Sequence, residues 1–284
     1  MPIITISRGC YSHGKEIAEQ VAKKLGYECI SREILIDASK FFNIPEGKLL
    51  QSLHDAPRIL ERITHGREKY LSYIRAALLE YVKRDNVVYH GLAGHILIPE
   101  IRHVMKVRVM AGLEDRITFL RNQRSFSRNQ ALDFIKKEDR ERADWTRYLY
   151  GSEVNDPYLY HLFLNLDKSL KIENAVEIIC HTVKRNTFQT TPESQKEIND
   201  LALSSHVQAA LFELCDAEVT ASNGSVTIKV EPKKIRKTGY GESGLEKKIQ
   251  EQMKNELMQE ILHIVQKIPD VKNVNLDLGL PFYR

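Results

Sequence analysis

The part of this chain that most restricts its fold is its beginning, "ITISRGCYSHGKEIAEQVAKKLG", Ile4 to Gly26. A short apolar run passes through a loop of small residues into a segment whose apolar positions, Ile17, Val21 and Leu25, repeat at helical spacing. Such a strand, loop and helix form a βα unit, and repeated βα units build a mainly parallel sheet. The loop spells Gly9-x-x-x-x-Gly14-Lys15. Small residues there let backbone N–H groups converge on an anion, the helix N-terminus adds its dipole, and a lysine can bridge terminal phosphates. Gly9, Ser12, Gly14 and Lys15 meet that requirement, but Glu16 stands where a magnesium-binding Ser or Thr is usual. Spacing alone leaves two readings open. One is a phosphate loop; the other is an ordinary βα turn in which Glu16 gains a few tenths to about 1 kcal/mol from the helix dipole.

The rest of the first 185 residues alternates in the same way. A helical pattern after Pro57 carries Ile63, Tyr70, Ile74, Ala77 and Tyr81 near one face, and Asn86 to Tyr89 reads as a buried strand ended by Gly91. Met105 to Met110 alternates apolar and cationic residues, which predicts a strand with one side toward solvent. Helices are expected over Leu113–Arg124, Asn129–Tyr150 and Ile172–Val183, with a strand at Leu162–Leu164. The fold class is therefore α/β: a three-layer parallel sheet flanked by helices. The polar stretch 186–195 reads as a linker, and 196–284 as a small α+β domain of order α-β-β-α-β. In that domain a helix begins near Ile198, Asn223-Gly224 marks a hairpin, and Gly239 to Gly244 forms a loop before an apolar stripe from Leu245 to Ile268.

A second charged constellation lies in "FIKKEDRERADWTRYLYG", with Asp139, Arg140 and Arg142 at its centre. Arginines about one helical turn apart can fork onto phosphoryl oxygens; the competing reading is a solvated helix face laced with ion pairs. His90, at a strand end, and His13, inside the loop, are each placed to meet a ligand or simply to fill space.

Residues 3 to 183 resemble the cytidylate-kinase-like family of P-loop nucleoside monophosphate kinases. The resemblance rests on "ISRGCYSHGKEIA", "SREIL", "NVVYHGLAGHIL", "LEDRI", "IKKEDRERADWTRYLYG", "NDPYLY" and "LFLNLDKSLKIENAVEII", in the family's order. It implies phosphoryl transfer from ATP, with Mg²⁺, to a nucleoside monophosphate such as CMP. It also implies that Arg8, Gly9, Ser12, His13, Gly14, Lys15 and Glu16 surround the nucleotide phosphates, with Arg121 or Arg124 near the adenine. Lys15, Asp139, Arg140 and Arg142 would carry the reaction, the last three from a lid, while Arg32 and Gly91 would face the acceptor. Glu16 fits, because the family tends to carry Glu there. The sequence departs from the family pattern at Tyr11 and His13 in the loop, at Ser31, and at Leu92, where an acceptor-side arginine is usual. These departures define an alternative, a weakened nucleotide sensor acting through its C-terminal domain. That domain resembles a BON domain by its element order, "NGSVTIKV" and "IPDVKNVNLDL", and departs from it in "EPKKIRKTGYG". The resemblance implies an interaction module for a protein or membrane-surface partner.

Composition adds exclusions more than identifications. A formal net charge of +4 over 284 residues argues against a nucleic-acid partner. Cys10, Cys29, Cys180 and Cys215 show no Cys-x-x-Cys pairing and no ligand spacing, so they read as reduced thiols and assign no metal site. No signal-peptide pattern and no apolar run of about 18 residues is present, which places the expected protein in the cytoplasm.

Overall fold

The computed structural model describes residues 2–31, 33–49, 66–91, 93–230 and 243–279. Arg32, Pro57, Ile63, Leu92, all of "EPKKIRKTGYG" and the first residues of the expected Gly239–Gly244 loop lie outside that description. The chain divides into two compact units, Met1–Gln195 and Lys196–Arg284.

The first unit runs β1 (Ile3–Arg8), α1 (Gly14–Leu25), β2 (Glu28–Ile30), α2 (Glu33–Phe42), α3 (Gly66–Val82) and β3 (Val87–His90). It continues through α4 (Gly94–Leu97), β4 (Val104–Ala111), α5 (Leu113–Gln123), α6 (Arg128–Tyr150), β5 (Leu162–Leu166) and α7 (Ile172–Val183). The strands form a five-stranded sheet in the order β2-β3-β1-β4-β5, and every pairing is parallel. β1 is central, and the connections leaving it and β3 run to opposite sides. The loop after β1 thus opens at the switch point where open α/β sheets bind ligands.

The two faces of the sheet differ. Ile4, Ile6, Met105, Val107, Val109 and Leu164 lie on one face and pack with Ile17, Val21, Val176 and Ile179 of α1 and α7. The other face carries Thr5, Ser7, Lys106 and Arg108, and it is not solvated: Lys106 is 8% and Arg108 4% exposed. This corrects the expectation for β4. The alternation is real, but the cationic side is covered, since Arg108 reaches Asn155 and the Lys106 backbone N–H donates to His161.

Local signals set the boundaries of the helices. Ser127 and Gln130 close a reciprocal capping box at the start of α6, and Gly151, with φ 62°, ends it in the left-handed region. Residues 186–195, expected as a linker, contain a 3-10 turn at Asn186–Phe188, and Phe188 joins the apolar face of the sheet. α8 (Pro192–Leu211) starts before Ile198, because Thr191 and Ser194 bond each other across the first turn and proline opens the helix.

The second unit continues with β6 (Ala217–Ser222), β7 (Ser225–Val230), α9 (Ser243–Val265) and β8 (Asn273–Leu278). β6 pairs antiparallel and β8 parallel with β7. Asn223 and Gly224 take φ 52° and 87°, the mirror-image turn that the sequence signals. Val207, Leu211, Val226, Ile228, Ile261 and Val265 form its core, leaving Glu218, Thr220, Asn275 and Asp277 on the exposed face of the sheet.

Candidate functional site

The loop after β1 is shaped by close approaches. A Cβ on Gly14 would fall 2.6 Å from Arg8 Cβ and 2.8 Å from its Cδ, so glycine lets the arginine stem cross the start of α1. Tyr11 and His13 hold left-handed backbone at φ 56° and 58°. The buried Ser12 hydroxyl is 2.9 Å from the Gly9 carbonyl and 3.0 Å from that of Val109. It ties the loop to β4. The His13 ring meets the Glu16 carboxylate at 3.3 Å and lies against Phe119 with centroids 4.2 Å apart. Lys15 is 65% exposed and touches Glu19 at 3.6 Å, a screened pair of little energy that leaves the ammonium available.

The charged helix α6 is seated on this loop. Ile117 and Leu120 of α5 pack with Ala131 and Ile135 of α6, and Tyr11 joins them through edge contacts with Phe119 and Phe134. Arg116 Nε donates to the Cys10 carbonyl at 2.6 Å, and its NH2 donates to Asp139 at 2.5 Å. Asp139 in turn accepts the Cys10 N–H at 3.0 Å. Both backbone polar groups of one loop residue, Cys10, are thus clamped by an Arg–Asp pair, which makes Asp139 a loop-positioning residue in this arrangement. Arg142 NH1 donates to the Arg8 carbonyl at 3.2 Å, and its NH2 stands 3.8 Å from Glu138.

Between loop and helix lies a cavity of about 620 Å³. Of the residues expected from the sequence, Arg8, Gly9, Ser12, His13, Gly14, Lys15, Glu16, Arg124 and Arg142 line it. Arg124 stands 5.2 Å above the Phe134 ring. Arg121 and Arg140 are exposed on the helices and lie outside the lining. Gly91 lies at the end of β3, where the Tyr89 ring leaves no room for a side chain. Sequence reasoning missed Arg116, Phe119 and Phe134. Arg116 lies within the "LEDRI" motif, but its role needed the position of Cys10. A second cavity of about 500 Å³ lies on the other side of His13 and Phe119, with Asp115, Asn122 and Lys168 among its residues.

Arg8, Lys15, Arg124 and Arg142 line the first cavity together with the carboxylates of Glu16, Glu19 and Glu138. Burial, with Arg142 nearby, pulls the Arg8 guanidinium below its ordinary value. Burial also lowers His90 to about 4, helped by Arg8 and Lys15, so it is a neutral ring at pH 7. Cys10 is pushed up to about 11 by burial and is no nucleophile. The cradle fits nucleotide phosphates: a glycine where a side chain would fill it, an exposed lysine in a weak pair, and three arginines. Among the described residues no cluster of three metal-ligating side chains occurs.

A glycine loop between a central parallel strand and its helix, in this strand order, defines a P-loop fold of the kinase type. The chain belongs to the cytidylate kinase-like family, which matches residues 3–168, and with it to the kinase-like phosphotransferases. An uncharacterized protein from Eubacterium ventriosum shares the fold at 14% identity and TM-score 0.50, over 64% of this chain and 97% of that one. Shikimate kinase from Bacteroides thetaiotaomicron is similar at 16% identity and TM-score 0.40, over 65% and 99%. A gluconokinase from Sinorhizobium meliloti gives 12% and 0.40, over 66% and 93%. No curated protein matches the chain. Among the described residues no helix is long and apolar enough to cross a membrane.

Proposed function

We propose that the first unit transfers the γ-phosphoryl group of ATP to a nucleoside monophosphate such as CMP. The observation that carries this reading is the loop cavity, which gathers Lys15, Arg8, Arg142 and Arg124 at the carboxyl end of β1. In it the loop amides and the N-terminus of α1 bind the phosphate chain, and Lys15 swings from its weak pair with Glu19 onto the terminal phosphates. Arg124, held over Phe134, offers its plane to the base. An oxygen of the acceptor phosphate forms a bond to the γ-phosphorus as the bond to ADP breaks, and Arg142, already touching the loop, neutralises charge on the transferring group. Mg²⁺, carried on the triphosphate, supplies further charge neutralisation.

The test is ADP release across a panel of monophosphates, with Lys15→Ala beside the wild type. Release that needs a monophosphate and falls at least a hundredfold in the variant is expected, since the lysine contact strengthens as charge develops. The second unit we read as an interaction module of the BON type. Its α-β-β-α-β order and its open, polar sheet face support that reading.

A further inference from the structure

Arg108 has an unusual setting for a cation. It projects from the middle of β4, beside Ser7 of β1 in the register, and is 4% exposed. Its NH1 donates to Ser7 Oγ at 2.9 Å and its NH2 to Asn155 Oδ1 at 2.8 Å. Ser7 hydrogen-bonds the Tyr160 phenol, which donates to the Val154 carbonyl at 2.8 Å. This network is neutral throughout. It fixes the guanidinium but does not balance its charge, and among the described residues Arg108 forms no ion pair. Its Nε is buried and has no partner among the described residues. A buried cation held only by neutral groups is expensive unless an anion joins it.

The surroundings add a second unsatisfied group. His95, the second residue of α4, is 3% exposed, and neither ring nitrogen has a partner among the described residues. Its ring packs on Tyr160 at 4.8 Å, so it belongs to the same cluster as Arg108. Burial, reinforced by Arg108 and Lys106, lowers it to about 3, so it stays neutral and keeps one N–H to donate. Arg142 and the Arg116–Asp139 pair, both on the nucleotide side, lie within electrostatic reach of Arg108. Arg108 thus lies on the polar face of the sheet, beside Ser7 and one residue before the end of β1, within electrostatic reach of residues that hold the phosphate loop.

We propose that Arg108 and His95 form the binding site for the phosphate of the acceptor, with Arg108 Nε and a His95 ring N–H as donors. Ser7, Asn155 and Tyr160 act as the frame that orients the guanidinium. The ligand class is a phosphate monoester dianion. The inference rests on the monophosphate-kinase reading above, and it assigns the acceptor-side cation to Arg108 of β4.

The test uses the full chain with ADP present at saturation, so that the phosphate loop is filled. CMP, cytidine and inorganic phosphate are then titrated by thermal shift into the wild type, Arg108→Met and Arg108→Lys. The wild type should respond to CMP and to phosphate but not to cytidine. Arg108→Met should bind both about tenfold to a hundredfold more weakly with ADP affinity unchanged, the loss expected for a charged hydrogen bond. If Arg108→Met does not fold, Arg108→Lys, which keeps the charge but not the fork, should show at least a tenfold loss. A merely structural arginine would lower the melting temperature and leave those affinities alone, which overturns the proposal. Equal responses to CMP and cytidine, or no response to CMP and phosphate, overturn it as well. Failure of ADP to bind the wild type would instead sink the kinase reading itself.

Discussion

The two faces of the five-stranded sheet are buried to a similar degree and built from opposite chemistry. On one, Ile4, Ile6, Val107 and Val109 meet the apolar sides of α1 and α7. On the other, in register with them, lie Thr5, Ser7, Lys106 and Arg108. The apolar face lowers the free energy of folding in proportion to the area it hides. The polar face cannot, because each buried donor or charge must be matched before its burial ceases to cost. On the acceptor-site proposal, this polar layer beside the phosphate loop is kept for a ligand. The contrast separates residues that stabilise this unit from residues that let it bind.

That separation can be broken by experiment. Ile6→Ala should give the largest effect, a loss of about 2–5 kcal/mol in denaturant unfolding, with nucleotide affinity of the remaining folded protein unchanged. A fall in affinity without a fall in stability would invert the assignment of the faces. Acid should act on the polar residues next. His90 and His95 are neutral when folded, at about 4 and 3, and charge more readily when unfolded. The unfolded state therefore binds more protons, and stability should drop as pH falls from about 6.5 toward those values, by up to about 1.4 kcal/mol per pH unit for each ring. Replacing His95 by Leu should remove one ring's share of that slope, read from urea unfolding at successive pH values. A slope identical to that of the wild type would mean that His95 is charged in the folded state.

Smaller effects concern the clamp on the loop. Asp139→Asn keeps the shape but weakens the bond from Arg116, and should cost about 1–2 kcal/mol while lowering ATP affinity several-fold. Full activity with unchanged stability would show that α6 is held otherwise. Ser12→Ala should give the least, about 1 kcal/mol, because its hydroxyl bonds two carbonyls within the protein. A loss of affinity as large as that of Lys15→Ala would mean that the hydroxyl turns to the phosphate.

The parts of this fold that depend on short-range pattern were legible in the sequence. The spacing of Ile17, Val21 and Leu25 sets α1, and Asn223-Gly224 sets the hairpin, because both signals act within a few residues. The loop lining was legible too, since Gly9 to Glu16 are consecutive. What was not legible depends on pairs far apart in the chain. Period-two alternation in β4 looks the same whether its second side meets water or Asn155, so the burial of Lys106 and Arg108 could not be read from it. The same holds for Asp139. The family resemblance implies a part for it in the reaction, and its partners here, Cys10 and Arg116, lie 129 and 23 residues away and could not be read from the sequence. Arg121, Arg124, Arg140 and Arg142 have equal standing as cations in a charged run. Only the packing of α5 on α6 selects Arg124 and Arg142 for the cavity.

The most direct test of the account follows both nucleotides at once by phosphorus NMR, with the full chain, ATP·Mg²⁺ and CMP, then other monophosphates in turn. The account predicts that a nucleoside diphosphate forms from the monophosphate in step with ADP, and that Lys15→Ala abolishes both signals. ATP that binds to the wild type while no monophosphate is ever converted would contradict it, and would leave the loop a nucleotide sensor rather than a catalyst.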